Sequence, residues 1–95
     1  MSRPSLLPEL ESPDVRTGSW MVTIYNNDHT AYEVVVFTLM AATGCDEQEA
    51  QIETWEAHHY GKAAVHFSSQ KECEEVATII SSVGVQTEVT PEWPD

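Results

Sequence analysis

The sequence predicts an α+β domain whose elements run strand, helix, helix, strand, helix, strand. Three short runs alternate bulky and small side chains with strand-forming types, and three longer runs carry apolar residues at helical spacing between capping residues and Gly. Ninety-five residues with 41% apolar content suit a single hydrophobic core.

The first nineteen residues show no sustained period, and Pro4, Pro8 and Pro13 interrupt any helix that starts there. Residues 1–19 are therefore expected to form a flexible N-terminal extension, and residues 20–95 the domain. Trp20 to Tyr25 reads as the first strand, stopped by the turn-forming cluster Asn26-Asn27-Asp28-His29. Tyr32, Val35, Val36, Leu39 and Met40 fall on one helical face, and Gly44 ends that helix. Val34, Phe37 and Ala41 make its other side apolar too, so this helix is either sandwiched or partly exposed. Asp46 with Glu49 forms a capping box for a second helix that ends at Gly61. Ala63 to Phe67 reads as the second strand. Ser69 with Glu72 caps a third helix, in which Cys73, Val76, Ala77, Ile80 and Val83 form the cleanest amphipathic stripe. Val85 to Val89 alternates as the third strand, and Pro91 and Pro94 close the chain.

Sixteen acidic residues against four basic ones give a formal charge of −12. Phosphate contacts would oppose that field, which argues against nucleic acid and against anionic membrane. Arg3 and Arg16 lie in the extension, leaving Lys62 and Lys71 for the domain. Cys45 and Cys73 lack any close spacing, and no apolar segment resembles a secretory signal or a membrane span. A cytoplasmic protein with two free thiols is expected.

Asn26, Asn27, Asp28 and His58 are the residues able to do chemistry together if the first strand's exit loop sits beside the end of the second helix. A free α-amino group is largely charged near neutral pH and offers three donors. Amide oxygens, a carboxylate and a neutral imidazole nitrogen are acceptors for it. The plain alternative is that Asn and Asp shape the turn while His58 complements the negative end of its helix. A metal site built from His29, His58, His59, His66 and Glu56 is disfavoured, because adjacent helical histidines point about 100° apart. No phosphate loop, nucleophile elbow or Cys-His pairing is present, so neither a cofactor nor catalysis is expected.

Two segments together resemble the signature of the Clp protease adaptor family, ClpS. The first, Tyr25-Asn26-Asn27-Asp28-His29-Thr30, is similar to the family's Asn-Asp-Asp segment with its following Thr, matching at Asn26, Asp28 and Thr30. The second, Glu56-Ala57-His58-His59-Tyr60-Gly61-Lys62-Ala63, matches at His58 and Gly61. Their separation and the order of elements agree from about Trp20 to Val89. The resemblance implies a three-stranded antiparallel sheet with three helices on one face. It also implies a monomeric, non-catalytic adaptor that binds the N-terminal residue of a substrate and delivers its bearer to a Clp-type unfoldase. The amine would be held by Asn26, Asn27 and His58 with Asp28 nearby. The first side chain would enter a pocket lined by Thr30, Tyr32, Val35, Thr54, Ala57 and Val85. In that role His58 is a neutral acceptor, so acid should weaken binding.

Several positions depart from the family pattern. Asn27 replaces an Asp that meets the amine, which removes one charge from the site. Tyr32 replaces a gatekeeping Met, Thr54 a pocket Met and Ala57 a Val. The two smaller residues enlarge the pocket, whereas Tyr32 could fill or close it, leaving an interaction protein with a blocked or repurposed pocket as the alternative. Glu53 falls at a usually apolar position while Ile52 and Trp55 are apolar nearby, which implies a rotation of the second helix. Gln70 and Glu75 match the positions that dock on the unfoldase's N-terminal domain. There the first charge is lost and the second reversed.

Overall fold

The computed structural model describes residues 20–93; the expected extension over 1–19 and the closing Pro94 lie outside them. The order is β1 (Trp20–Tyr25), α1 (Tyr32–Thr43), α2 (Glu47–Tyr60), β2 (Lys62–Ser68), α3 (Gln70–Ser81) and β3 (Thr87–Pro91). The strands form an antiparallel sheet in the order β2-β1-β3. The three helices cover one face of it, with α3 against all three strands, α2 against β2, and α1 against α2 and α3.

Local chemistry explains the boundaries. The Asp46 carboxylate accepts from the Glu49 N–H at 2.8 Å, and the Ser69 hydroxyl accepts from the Glu72 N–H at 3.2 Å, each satisfying a donor that its helix leaves unpaired. Gly61 ends α2 in the left-handed region at φ 96°, where its N–H reaches the Ala57 carbonyl. Val22, Ile24, Leu39, Cys73 and Ile80 are fully enclosed and form the centre of the core. Between Val22 and Thr23 the register on β2 slips by a residue, so Val65 has no partner of its own while remaining buried.

Two expectations change. The third strand begins at Thr87 rather than Val85 and runs through Pro91, which pairs with Trp20. Proline is tolerated there because β3 is an edge strand that can leave one side of its backbone unpaired. Val85 instead precedes the strand and is buried. Nor is α2 rotated to bury Ile52 and Trp55. Those side chains are about half exposed, and the helix turns Ala50, Glu53, Thr54 and Ala57 inward. The interhelical space next to α1 accepts small side chains at 50, 54 and 57, and Glu53 enters the interior with them. The apolar flank of α1 is divided in the same way: Val35, Val36 and Leu39 are buried, whereas Val34 and Phe37 face outward.

Candidate functional site

The loop leaving β1 is fixed from three sides. The Tyr25 N–H donates to the Gln86 carbonyl at 3.0 Å, and the Asn26 N–H donates to the Gly61 carbonyl at 2.9 Å, which seats the loop against the end of α2. The third attachment is the side chain of Asn27. Its amide nitrogen donates to the Thr30 hydroxyl and to the Gly84 carbonyl, both at 2.7 Å, and its amide oxygen accepts from the His29 N–H at 2.6 Å. Thr30 in turn donates to the Val83 carbonyl at 2.8 Å. Gly84 sits at φ 93°, and a Cβ there would lie 3.3 Å from the Thr30 hydroxyl. Glycine is needed at this position for both its backbone region and its lack of a side chain.

Within this frame lies a cavity of about 280 Å³ between the β1 exit loop, α1 and α2. Ile24, Val35, Thr54, Ala57 and Val85 form its apolar interior, and Asn26, Asp28 and His58 stand among the lining residues with exposed side chains. None of those three side chains makes a hydrogen bond among the described residues. Their acceptors are therefore free for a guest. The Thr54 hydroxyl is satisfied by the Ala50 carbonyl at 2.7 Å, so it presents chiefly its methyl group as lining. Tyr32 stands at the edge, with 44% of its surface exposed and its hydroxyl donating to the Gln51 carbonyl at 3.0 Å. The ring bridges α1 and α2 and leaves the cavity open.

The structure thus gathers all the residues singled out for amine and side-chain binding around one cavity, while dividing their work differently. Asn27 is a lining residue whose amide nitrogen is used on Thr30 and on the Gly84 carbonyl, leaving one lone pair on its oxygen. It is chiefly a tether. Ile24, Tyr25 and the Val83–Gly84 turn were not evident as site residues. Gly84 follows the third helix, a local position that says nothing of its carbonyl anchoring a loop 57 residues earlier in the chain. Gln70 and Glu75 are both exposed on α3 and are not among the residues lining this cavity, and the Gln70 amide donates to Glu74 at 3.3 Å.

Beneath the site Glu53 is an electrostatic anomaly. Only 8% of its surface is exposed, and one carboxylate oxygen is buried without a hydrogen-bond partner. Burial, reinforced by Glu49 and Glu56 on the same helix, pushes its carboxyl up to about 8. Elsewhere Glu72 is held below the usual carboxylate range by bonds from Ser68 and His66. No group of three or more potential metal ligands occurs among the described residues.

The sequence profile of the family described as ATP-dependent Clp protease adaptor protein ClpS matches residues 16–90. The chain belongs to the ClpS family. Among solved structures, Agrobacterium tumefaciens ClpS2 bound to L-phenylalaninamide superposes with a TM-score of 0.75 at 24% identity, covering 81% of this chain and 100% of that one. Human E3 ubiquitin-protein ligase UBR1 is 29% identical over 77 residues, 81% of this chain. The chain spans about 4% of the length of that relative. The fold of that ClpS2 structure is thus shared at low identity.

Proposed function

We infer that this ClpS-family adaptor binds the N-terminal residue of other proteins at the cavity between α1 and α2 and hands the bearer to a Clp-type unfoldase. The observation that carries this reading is the pairing of an apolar interior with three uncommitted polar side chains, Asn26, Asp28 and His58, among the residues lining one cavity. An N-terminal residue presents the same pairing in reverse. Its ammonium offers three donors, and its side chain lies one bond from the same carbon.

The Asn26 amide oxygen and the His58 imidazole accept from the ammonium, and the Asp28 carboxylate supplies a full opposite charge. Each charge-assisted bond contributes about 1.5–3 kcal/mol when shielded from water. The first side chain enters between Val35, Thr54, Ala57 and Val85, contributing a similar amount by burial. A dry cavity of about 150 Å³ accommodates benzene, so about 280 Å³ has room for an aromatic ring. The L-phenylalaninamide in the ClpS2 structure, with its free amine and benzyl side chain, is consistent with such a guest. The net charge of −12 also favours a cationic ligand over a neutral one.

Delivery is assigned to the exposed face of α3 around Gln70 and Glu75, facing an unfoldase's N-terminal domain, with the adaptor acting as a cytoplasmic monomer without catalysis of its own. The alternative is an interaction protein with a blocked or repurposed pocket; the open cavity beside Tyr32 speaks against the blocked form, and a repurposed pocket would bind free-amine and acetylated peptides alike.

Fluorescence polarisation tests the reading with labelled peptides that differ only at residue one, each with its amine free or acetylated. Acetylation and His58→Ala should each weaken the binding of a Phe-led peptide by at least about tenfold, the equivalent of one charge-assisted bond. Equal binding of the free and acetylated peptides would exclude recognition of the amine.

A further inference from the structure

The cavity is graded from its mouth inward. Asn26, Asp28, Tyr32 and His58 are exposed, whereas Ile24, Val85, Ala57, Thr54 and Val35 are only 1–7% exposed. Of those five buried side chains, Thr54 alone carries a polar atom. Its hydroxyl lies 2.7 Å from the Ala50 carbonyl of its own helix and leaves the methyl group to line the space. The other hydroxyls around the cavity are committed as well. Thr30 donates to the Val83 carbonyl and accepts from Asn27, Tyr32 donates to the Gln51 carbonyl, and Tyr25 donates to the Glu88 carboxylate. The uncommitted polar side chains, Asn26, Asp28 and His58, thus stand at the mouth.

Resting on the reading of the cavity as the site for residue one, we propose that it selects a wholly apolar first side chain and, between two residues of nearly the same shape, takes Phe and rejects Tyr. With the ammonium held at the mouth by Asn26, Asp28 and His58, the ring points inward. Its para position, the ring atom farthest from the α-carbon, then lies among Ile24, Val35, Ala57 and Val85. A hydrogen there is in apolar surroundings. A hydroxyl there gives up its water and finds no free partner, a loss that corresponds to about ten- to hundredfold in affinity. Nor does a water bridge it, since an enclosed water needs about two to four polar partners and the side chains of the inner wall offer none free. Size does not make the distinction. Benzene fills a dry cavity of about 150 Å³, and about 280 Å³ leaves room for a further heavy atom on the ring. The discrimination is one of polarity.

The test is fluorescence polarisation of the full chain with peptides identical except at residue one, which is Phe, Tyr or 4-methylphenylalanine, each with its amine free or acetylated. The methyl group takes up nearly the space of the hydroxyl without its polarity. Among the free-amine peptides, Tyr should bind at least about tenfold more weakly than Phe, and 4-methylphenylalanine no more than about threefold more weakly. Tyr binding as tightly as Phe, or 4-methylphenylalanine losing as much affinity as Tyr, would overturn the selection by polarity, while a continued need for the free amine would uphold the residue-one reading. Peptides that bind alike with free and acetylated amines would overturn that reading and this proposal with it.

Discussion

Replacing Glu53 with Gln should stabilise the folded protein at neutral pH and be neutral to slightly destabilising in acid. The carboxyl is held at about 8 against an ordinary 4.5, because the folded state buries it without a partner for one oxygen. A carboxyl raised on folding binds more protons in the native state, so its effect on stability is absent below about pH 4.5. Stability is then lost as pH climbs toward about 8 and changes no further above that. Within the window the slope reaches at most about 1.4 kcal/mol per pH unit. At pH 7 the limiting cost is about 3 kcal/mol, reduced because a buried Gln amide also lacks partners. A net gain of about 1–3 kcal/mol is expected, or roughly 4–8 °C in Tm per kcal/mol for a domain of this size. Urea unfolding followed by circular dichroism at pH 4.5 and pH 7, on both proteins, measures it. The other carboxylates cancel in the difference between variant and parent. A difference that is the same at both pH values, or a variant less stable at pH 7, would refute a buried, protonated Glu53.

Other substitutions probe the frame around the cavity. Asn27→Asp should destabilise the fold by about 1–3 kcal/mol despite adding a negative charge near the amine site, because it loses the donors to Thr30 and Gly84; urea unfolding reports this. Gly84→Ala should cost about 1–2 kcal/mol from left-handed backbone alone, with a lower Tm and weaker peptide binding as the Thr30 loop shifts. Ala57→Leu should occupy the cavity and lower affinity for Phe-led peptides more than about tenfold, while thermal melting shows the domain still folded.

The fold was legible largely because its punctuation is local. Asp46, Ser69, Gly44 and Gly61 act within one turn of where they stand, so capping chemistry places three helices to within a residue or two. The alternation of Val85, Thr87 and Val89 predicts a third strand that begins two residues before the observed one. Nothing local distinguishes Val85, buried in the cavity wall, from a residue in the ladder. The burial of Glu53 is hidden for a similar reason. Hydrophobicity favours burying Ile52 and Trp55, but the space beside α1 is narrow and takes the face carrying Ala50 and Ala57, bringing Glu53 with it. The cavity's membership could be anticipated from two motifs and their spacing. The tethering of Asn27 could not, because its decisive partner, the Gly84 carbonyl, is 57 residues away.

The most direct measurement is an amide nitrogen–proton correlation NMR titration of the full chain with L-phenylalaninamide and, separately, with its N-acetyl derivative. The account predicts saturable shifts at Asn26, Asp28, Thr54, His58 and Val85 with the free amine, little change on the outer face of α3, and almost none with the acetylated compound. Shifts that are scattered over the surface, or identical for the two compounds, would contradict an adaptor that reads a free N-terminal residue at this cavity.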